Sequence, residues 1–205
     1  MITAGPTWVP IDDVRVISNI ATGSTGILLA EQFLKQGAKV TLLFGPAPKS
    51  CCIDKKIRCL KFNYFEELLG LIKKELKTKY DIIIHSAAVS DYQPAAKLKG
   101  KVNSERTSWL LELKPTLKII DLIRKENPEA FITGFKFEPQ AKEGNLLEEA
   151  RDLIRRAQLD IAVANTISKN KYRAYVVDAA TSIGPFFTRI RMAKRLIKLI
   201  EAYYG

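Results

Sequence analysis

Short apolar runs rich in β-branched residues alternate along this chain with longer amphipathic stretches, and that alternation leaves few folds open. Lys39-Val40-Thr41-Leu42-Leu43-Phe44, Asp81-Ile82-Ile83-Ile84-His85, Ala130-Phe131-Ile132-Thr133-Gly134-Phe135 and Asp160-Ile161-Ala162-Val163-Ala164 read as strands, with helical patterns over 65–77, 115–125 and 146–158 between them. Strands joined this way run parallel. The chain therefore predicts an α/β fold, a Rossmann-like doubly wound and mostly parallel sheet whose ligands sit at the carboxyl ends of the strands. Tyr172 to Val177 adds a late strand, and 189–204 a last amphipathic helix with Ile190, Ala193, Leu196, Ile197 and Ile200 on one face. Between Asp91 and Lys114 the rhythm breaks. Lysines and small polar residues there precede the alternating Trp109-Leu110-Leu111-Glu112-Leu113, which reads as an inserted flap and β-arm.

The first twenty-six residues hold one strand, one turn and a loop suited to anions. Met1-Ile2 leads into Thr3-Ala4-Gly5-Pro6-Thr7, and Ser18-Asn19-Ile20-Ala21-Thr22-Gly23-Ser24-Thr25-Gly26 feeds the helical Ile27 to Leu34. Backbone N–H groups and the dipole at such a helix start favour phosphate. A surplus of 33 Lys and Arg over 22 acids, net +11, also favours anionic partners. The positives are spread over helices without a zinc-finger spacing or an aromatic RNA-binding signature, so nucleic acid is not the expected partner. At 205 residues the chain is expected to form one domain, 1–205. The absence of a long apolar run and of a basic leader predicts a cytoplasmic protein without a membrane partner. Cys51, Cys52 and Cys59 fit neither a disulfide framework nor a zinc site and read as reduced thiols; a Cys/His pair would have to use His85, and nothing local supports one.

A dehydrogenase is the first function such a sheet suggests. Three features oppose it: no Gly-x-Gly-x-x-Gly in the first βα connection, Gly45-Pro46 rather than an acid after Phe44, and no Tyr-x-x-x-Lys pair.

Six segments in order carry a resemblance. Thr3-Ala4-Gly5-Pro6-Thr7 with Pro10-Ile11-Asp12 and Val14-Arg15-Val16-Ile17-Ser18-Asn19, then Thr22-Gly23-Ser24-Thr25-Gly26, Ala87-Ala88-Val89-Ser90-Asp91-Tyr92, Lys101-Val102-Asn103-Ser104, Gly134-Phe135-Lys136 and Asp160 to Asn165 resemble the phosphopantothenate-cysteine ligases. The resemblance implies a two-step ligation: the 4′-phosphopantothenate carboxylate attacks the α-phosphate of CTP or ATP, pyrophosphate leaves, and the cysteine amine displaces the nucleotide from the acyl intermediate. It further implies Mg²⁺, a homodimer built on the β-arm, and a phosphopantothenoylcysteine decarboxylase, separately encoded, as a partner. No flavin-binding decarboxylase portion is visible, so no FMN is expected. Residue by residue, Asn19 and Lys101 match the family's catalytic asparagine and flap lysine. Gly5, Thr7, Ser86, Ala87, Asp91, Thr116 and Phe135 fall on the nucleotide site, and Arg15, Asn19, Thr22, Gly23 and Ala88 on the substrate site, where Arg15 would fix the loop or bind the substrate phosphate through its fork. Asp91 would orient the ribose or hold Mg²⁺. Departures from the fused bacterial enzymes stand at Ser24, Asn103, Ser104, the helix Arg151-Asp152-Leu153-Ile154-Arg155-Arg156-Ala157 and Lys114-Pro115-Thr116-Leu117-Lys118. They resemble a stand-alone bacterial branch and leave base recognition open. A non-catalytic Rossmann-like nucleotide-binding protein is the alternative.

Overall fold

In the computed structural model, which describes residues 1–47, 54–103, 105 and 107–204, the sheet grows outward in both directions from the first strand. Strands β1 (Ile2–Ala4), β4 (Thr41–Phe44) and β5 (Arg58–Lys61) lie side by side in chain order. The chain then crosses back to place β6 (Ile82–His85) on the other side of β1, followed by β9 (Phe131–Phe137) and β10 (Ile161–Ser168), all parallel. Two antiparallel strands, β11 (Lys171–Val177) and β12 (Ser182–Phe186), close the far edge. The winding reverses between β1 and β6, and a crevice at the carboxyl ends of those two strands is the ligand position the topology provides.

Alternation along the strands divides the core. Ile2, Ala4, Leu42, Phe44 and Ile84 pack with α1 (Ser24–Lys35) and α5 (Arg189–Tyr204), whose Leu29, Phe33, Met192, Leu196 and Ile200 are buried. Leu43, Ile83 and Ile132 pack on the opposite face with α2 (Phe65–Glu75), α3 (Ile119–Glu126) and α4 (Glu143–Ala157). Two short antiparallel pairs stand above the crevice: β2 (Trp8–Pro10) with β3 (Val16–Ser18), and β7 (Tyr92–Pro94) with β8 (Leu113–Pro115).

The doubly wound, mostly parallel sheet is as the alternation predicts, but several boundaries move. The segment after Pro6 is a hairpin rather than a turn. Residues 115–118 are not helical: Pro115 pairs with Tyr92 to make the β-arm, and α3 begins at Ile119. The arm's strand is Leu113–Pro115, not the alternating stretch from Trp109. Helix α4 starts at Glu143, three residues before the apolar pattern that announces it. Cys59 is free on β5, separated from His85 on β6 by the two intervening strands β1 and β4, so these two form no pair; Cys51 and Cys52 lie outside the described residues.

Gly26 sets how closely α1 approaches the sheet. A Cβ there would stand 2.4 Å from Ala4 Cβ and 2.8 Å from Ser86 Oγ. Neither neighbour is the end of a flexible side chain, so Gly26→Ala is expected to destabilise the fold by about 1–3 kcal/mol. Gly70→Ala, on an exposed turn of α2 with nothing within 4 Å, should instead stabilise by about 0.5–1 kcal/mol. Urea unfolding of both variants checks the pair.

Candidate active site

The crevice walls are two loops zipped together by hydrogen bonds. Gly5 leaves β1 with φ of 83°, a left-handed turn that favours glycine, and its carbonyl accepts from Ala88 N at 2.9 Å. Thr3 Oγ1 accepts from Ala87 N (3.2 Å), Ser86 Oγ donates to Thr3 O (2.7 Å), and Ser90 N donates to Thr7 Oγ1 (2.9 Å). Across this seam lies Asn19, whose Nδ2 donates to both Ala88 O and Val89 O at 3.1 Å. With its nitrogen so engaged, the Asn19 side-chain oxygen is the atom left for a ligand.

Helix α1 opens directly onto the crevice. Gly23 caps it at φ of 70° without a side-chain hydrogen bond, no acid stands in the first turn, and Thr22 Oγ1 hydrogen-bonds Ser24 Oγ. The first-turn N–H groups have no intrahelical acceptor, so this end is arranged to receive an anion. Opposite, Thr116 N donates to Asp91 O (2.9 Å) and Thr116 Oγ1 to Ser90 O (2.6 Å), while Lys118 Nζ pairs with Asp91 Oδ1 at 2.5 Å. The cleft measures ≈ 1020 Å³. A smaller cavity of ≈ 250 Å³ at the amino ends of β1 and β6 touches none of these loops.

The family model described as the DNA/pantothenate metabolism flavoprotein C-terminal domain matches residues 1–202. The chain belongs to this family. The bifunctional coenzyme A biosynthesis protein CoaBC of Thermococcus kodakarensis is 36% identical over 207 residues, which cover 98% of this chain and 50% of that protein. The chain thus spans about half the length of that relative. A solved DNA/pantothenate metabolism flavoprotein from Streptococcus pneumoniae superposes with a TM-score of 0.86 at 28% identity, covering 98% of this chain and 97% of that one. A Cab2 mutant solved in complex with phosphopantothenate-cysteine superposes with a TM-score of 0.80 at 20% identity over 99% of this chain and 86% of that one, a likeness of fold.

The cleft collects most of the residues singled out from the sequence: Gly5, Asn19, Thr22, Gly23, Ser86, Ala87, Ala88, Asp91, Thr116 and Phe135 all line it. Three do not. Thr7 is fully buried and holds Ser90. Arg15 lies at the β2–β3 turn, bonded to Asp12 and to Val102 O, with its guanidinium 5.4 Å from the Trp109 ring centroid. Lys101 is exposed on the segment beside that turn. The cleft also takes in Lys118, Arg156 and Asn165, which stand in segments singled out in the sequence but were given no role there, and Arg189, which no local pattern marked because its approach is made by the fold.

His85, the single histidine, stands at the end of β6 with Nδ1 2.9 Å from Thr3 Oγ1, and burial lowers its pKa to about 4. The ring is neutral at pH 7, able to hydrogen-bond but carrying no charge to the cleft. Its ordinary pKa is 6.5, so between pH 6.5 and 4 the unfolded chain binds the extra proton. The stability this neutral ring contributes is present above pH 6.5 and is lost as pH falls toward 4. From pH 7 to 5.5 the loss attributable to His85 should be about 1 kcal/mol. Denaturant unfolding at the two pH values, compared with His85→Asn, should show that part of the slope vanish in the variant.

Proposed function

We propose that this chain is a nucleotide-dependent ligase that joins 4′-phosphopantothenate to L-cysteine in coenzyme A biosynthesis, with CTP or ATP as co-substrate. The observation that carries the reading is the Asn19 amide, pinned by its nitrogen across the β1–β6 crevice and facing one cleft with the α1 N-terminus, Ser86, Asp91, Thr116 and Phe135. Activating a carboxylate on a phosphorus atom asks for donors and cations around developing charge more than for a protein nucleophile. A cleft with one neutral histidine and several fixed N–H groups suits that demand.

In the first step a carboxylate oxygen of phosphopantothenate bonds to the α-phosphorus and pyrophosphate departs. In the second the cysteine nitrogen bonds to the acyl carbon, a proton leaves the amine, and the nucleoside monophosphate departs. Ser86, Ala87, Asp91, Thr116 and Phe135, with Gly5, take the nucleotide; Thr22, Gly23, Ala88 and Asn19 take phosphopantothenate. Thr7 and Arg15, off the cleft wall, serve by holding Ser90 and the flap. Lys101 brings its charge to the phosphates or the activated carboxyl.

Among the described residues no three His, Cys, Asp or Glu side chains gather to hold a metal. Mg²⁺ held through one carboxylate and the substrate's phosphates needs no such cluster, and Asp91, exposed at the cleft, fits that requirement once Lys118 yields. Such an ion would neutralise charge on the phosphates. We assign no flavin to this chain.

A homodimer is part of the proposal, supported by apolar side chains left exposed on the arm and hairpin, Tyr92, Leu110, Leu113 and Val14. A single-chain mass in solution would exclude it. No described helix is long and apolar enough to cross a membrane, which agrees with a cytoplasmic enzyme whose product passes to a phosphopantothenoylcysteine decarboxylase. The test is pyrophosphate release with phosphopantothenate, cysteine and Mg²⁺, run with CTP and ATP in parallel, with the thiol product followed by mass. Product with either nucleotide supports the ligase; nucleotide binding without pyrophosphate release would make the chain a binding protein only.

A further inference from the structure

Lys101 lies between two residues whose backbone is tied to the β2–β3 turn. On one side Gly100 N donates to Asp13 Oδ2 (2.8 Å) and Asp13 N donates to Gly100 O (3.3 Å). On the other, Val102 N donates to Asp12 Oδ2 (3.1 Å) and Val102 O accepts from both terminal nitrogens of Arg15 (3.2 and 3.3 Å). The two acids differ in kind. Asp13 is about half exposed and also pairs with Lys97, whereas the Asp12 side chain is fully buried.

The two oxygens of Asp12 have separate duties. Oδ1 accepts from Val14 N (2.8 Å) and Arg15 N (2.7 Å) and so closes its own turn. An Asn or Ser could do as much with a single acceptor. Oδ2 accepts from Arg15 Nη1 (2.9 Å) and from Val102 N, 90 residues away in the chain. A buried carboxylate is costly unless its lone pairs are met, and the second oxygen is met by the flap and by the arginine that also grips the flap. Asp12 is not among the residues lining the cleft, so any influence on the reaction passes through the segment it holds.

We infer that Asp12 is a positioning residue for the ligation: its second carboxylate oxygen fixes the flap residue beside Lys101 and thereby sets where the Lys101 ammonium reaches. This role rests on the ligase reading above.

Asp12→Asn tests it, because the amide keeps Oδ1 for the turn and sets an N–H₂ group against two donors. In the protein without substrates, amide hydrogen exchange at Val102 is expected to quicken by about tenfold or more, with core amides unchanged. In turnover, kcat for the thiol product should fall by about tenfold or more while KM for the nucleotide stays within about twofold. In a Lys101→Gln background the same substitution should have no further effect. Unchanged exchange at Val102, a kcat at or above wild type, or a full multiplicative loss in the Lys101→Gln background would each overturn the assignment. Exchange needs no catalysis: a wild-type chain that makes no product overturns the ligase reading and this role with it, while exchange still reports the tether. Asp12→Ser, whose hydroxyl can close the turn but cannot meet both remaining partners, serves if the Asn variant does not fold.

Discussion

Replacing Lys101 by glutamine is expected to lower thiol-product formation by roughly 10²–10³-fold, the range seen when a group aimed at developing charge is removed. Lys101 is exposed, is absent from the cleft wall, and has no ion pair among the described residues, so its removal leaves no buried partner orphaned. The loss should therefore fall on catalysis with the unfolding midpoint unchanged. Both pyrophosphate release and product formation should drop together if the ammonium meets the nucleotide phosphates; pyrophosphate release that outlasts product formation would place it at the activated carboxyl. Rates equal to wild type would remove Lys101 from the reaction.

Asn19→Asp is expected to separate the two steps. The amide nitrogen donates to two carbonyls at 3.1 Å, and a carboxylate cannot donate to either. It would also add negative charge beside an anionic anhydride. The expected record is a burst of about one pyrophosphate per site followed by product formation slowed by roughly 10²–10³-fold. An ordinary steady rate of product without a burst would show that Asn19 does not handle the intermediate.

The fold was legible where strands are buried on both faces. Thr41 to Phe44 and Ile82 to His85 are apolar runs with few competing assignments. The strands missed are those that burial does not mark. Arg58-Cys59-Leu60-Lys61 is an edge strand with charge at both ends; β2, β3, β7 and β8 are each three residues long; and Gly184-Pro185 interrupts β12. Pro115 before Thr116 reads as a helix start by its fixed φ, yet the arm strand claims it. At the site, residues sharing a loop with a motif were found, because the loops after β1 and β6 meet at the reversal of winding. What local pattern could not supply are the pairings made by long crossings: Asp91 with Lys118, Asp12 with Val102, and Arg189 brought to the cleft from the start of α5. Arg15 shows the difference well. Its position in the motif suggested either a grip on the loop or a contact with the substrate phosphate, and its partners in the structure are the flap and Asp12.

Isotope transfer tests the central claim most directly. With ¹⁸O in both carboxylate oxygens of 4′-phosphopantothenate, attack on the α-phosphorus and later cleavage of the acyl C–O bond must leave one labelled oxygen in the nucleoside monophosphate, and the pyrophosphate unlabelled. That distribution, dependent on cysteine, is the result expected of this cleft. Label in inorganic phosphate, or a nucleoside monophosphate that carries none, would mean that the carboxylate is not activated through the α-phosphate and would contradict the account.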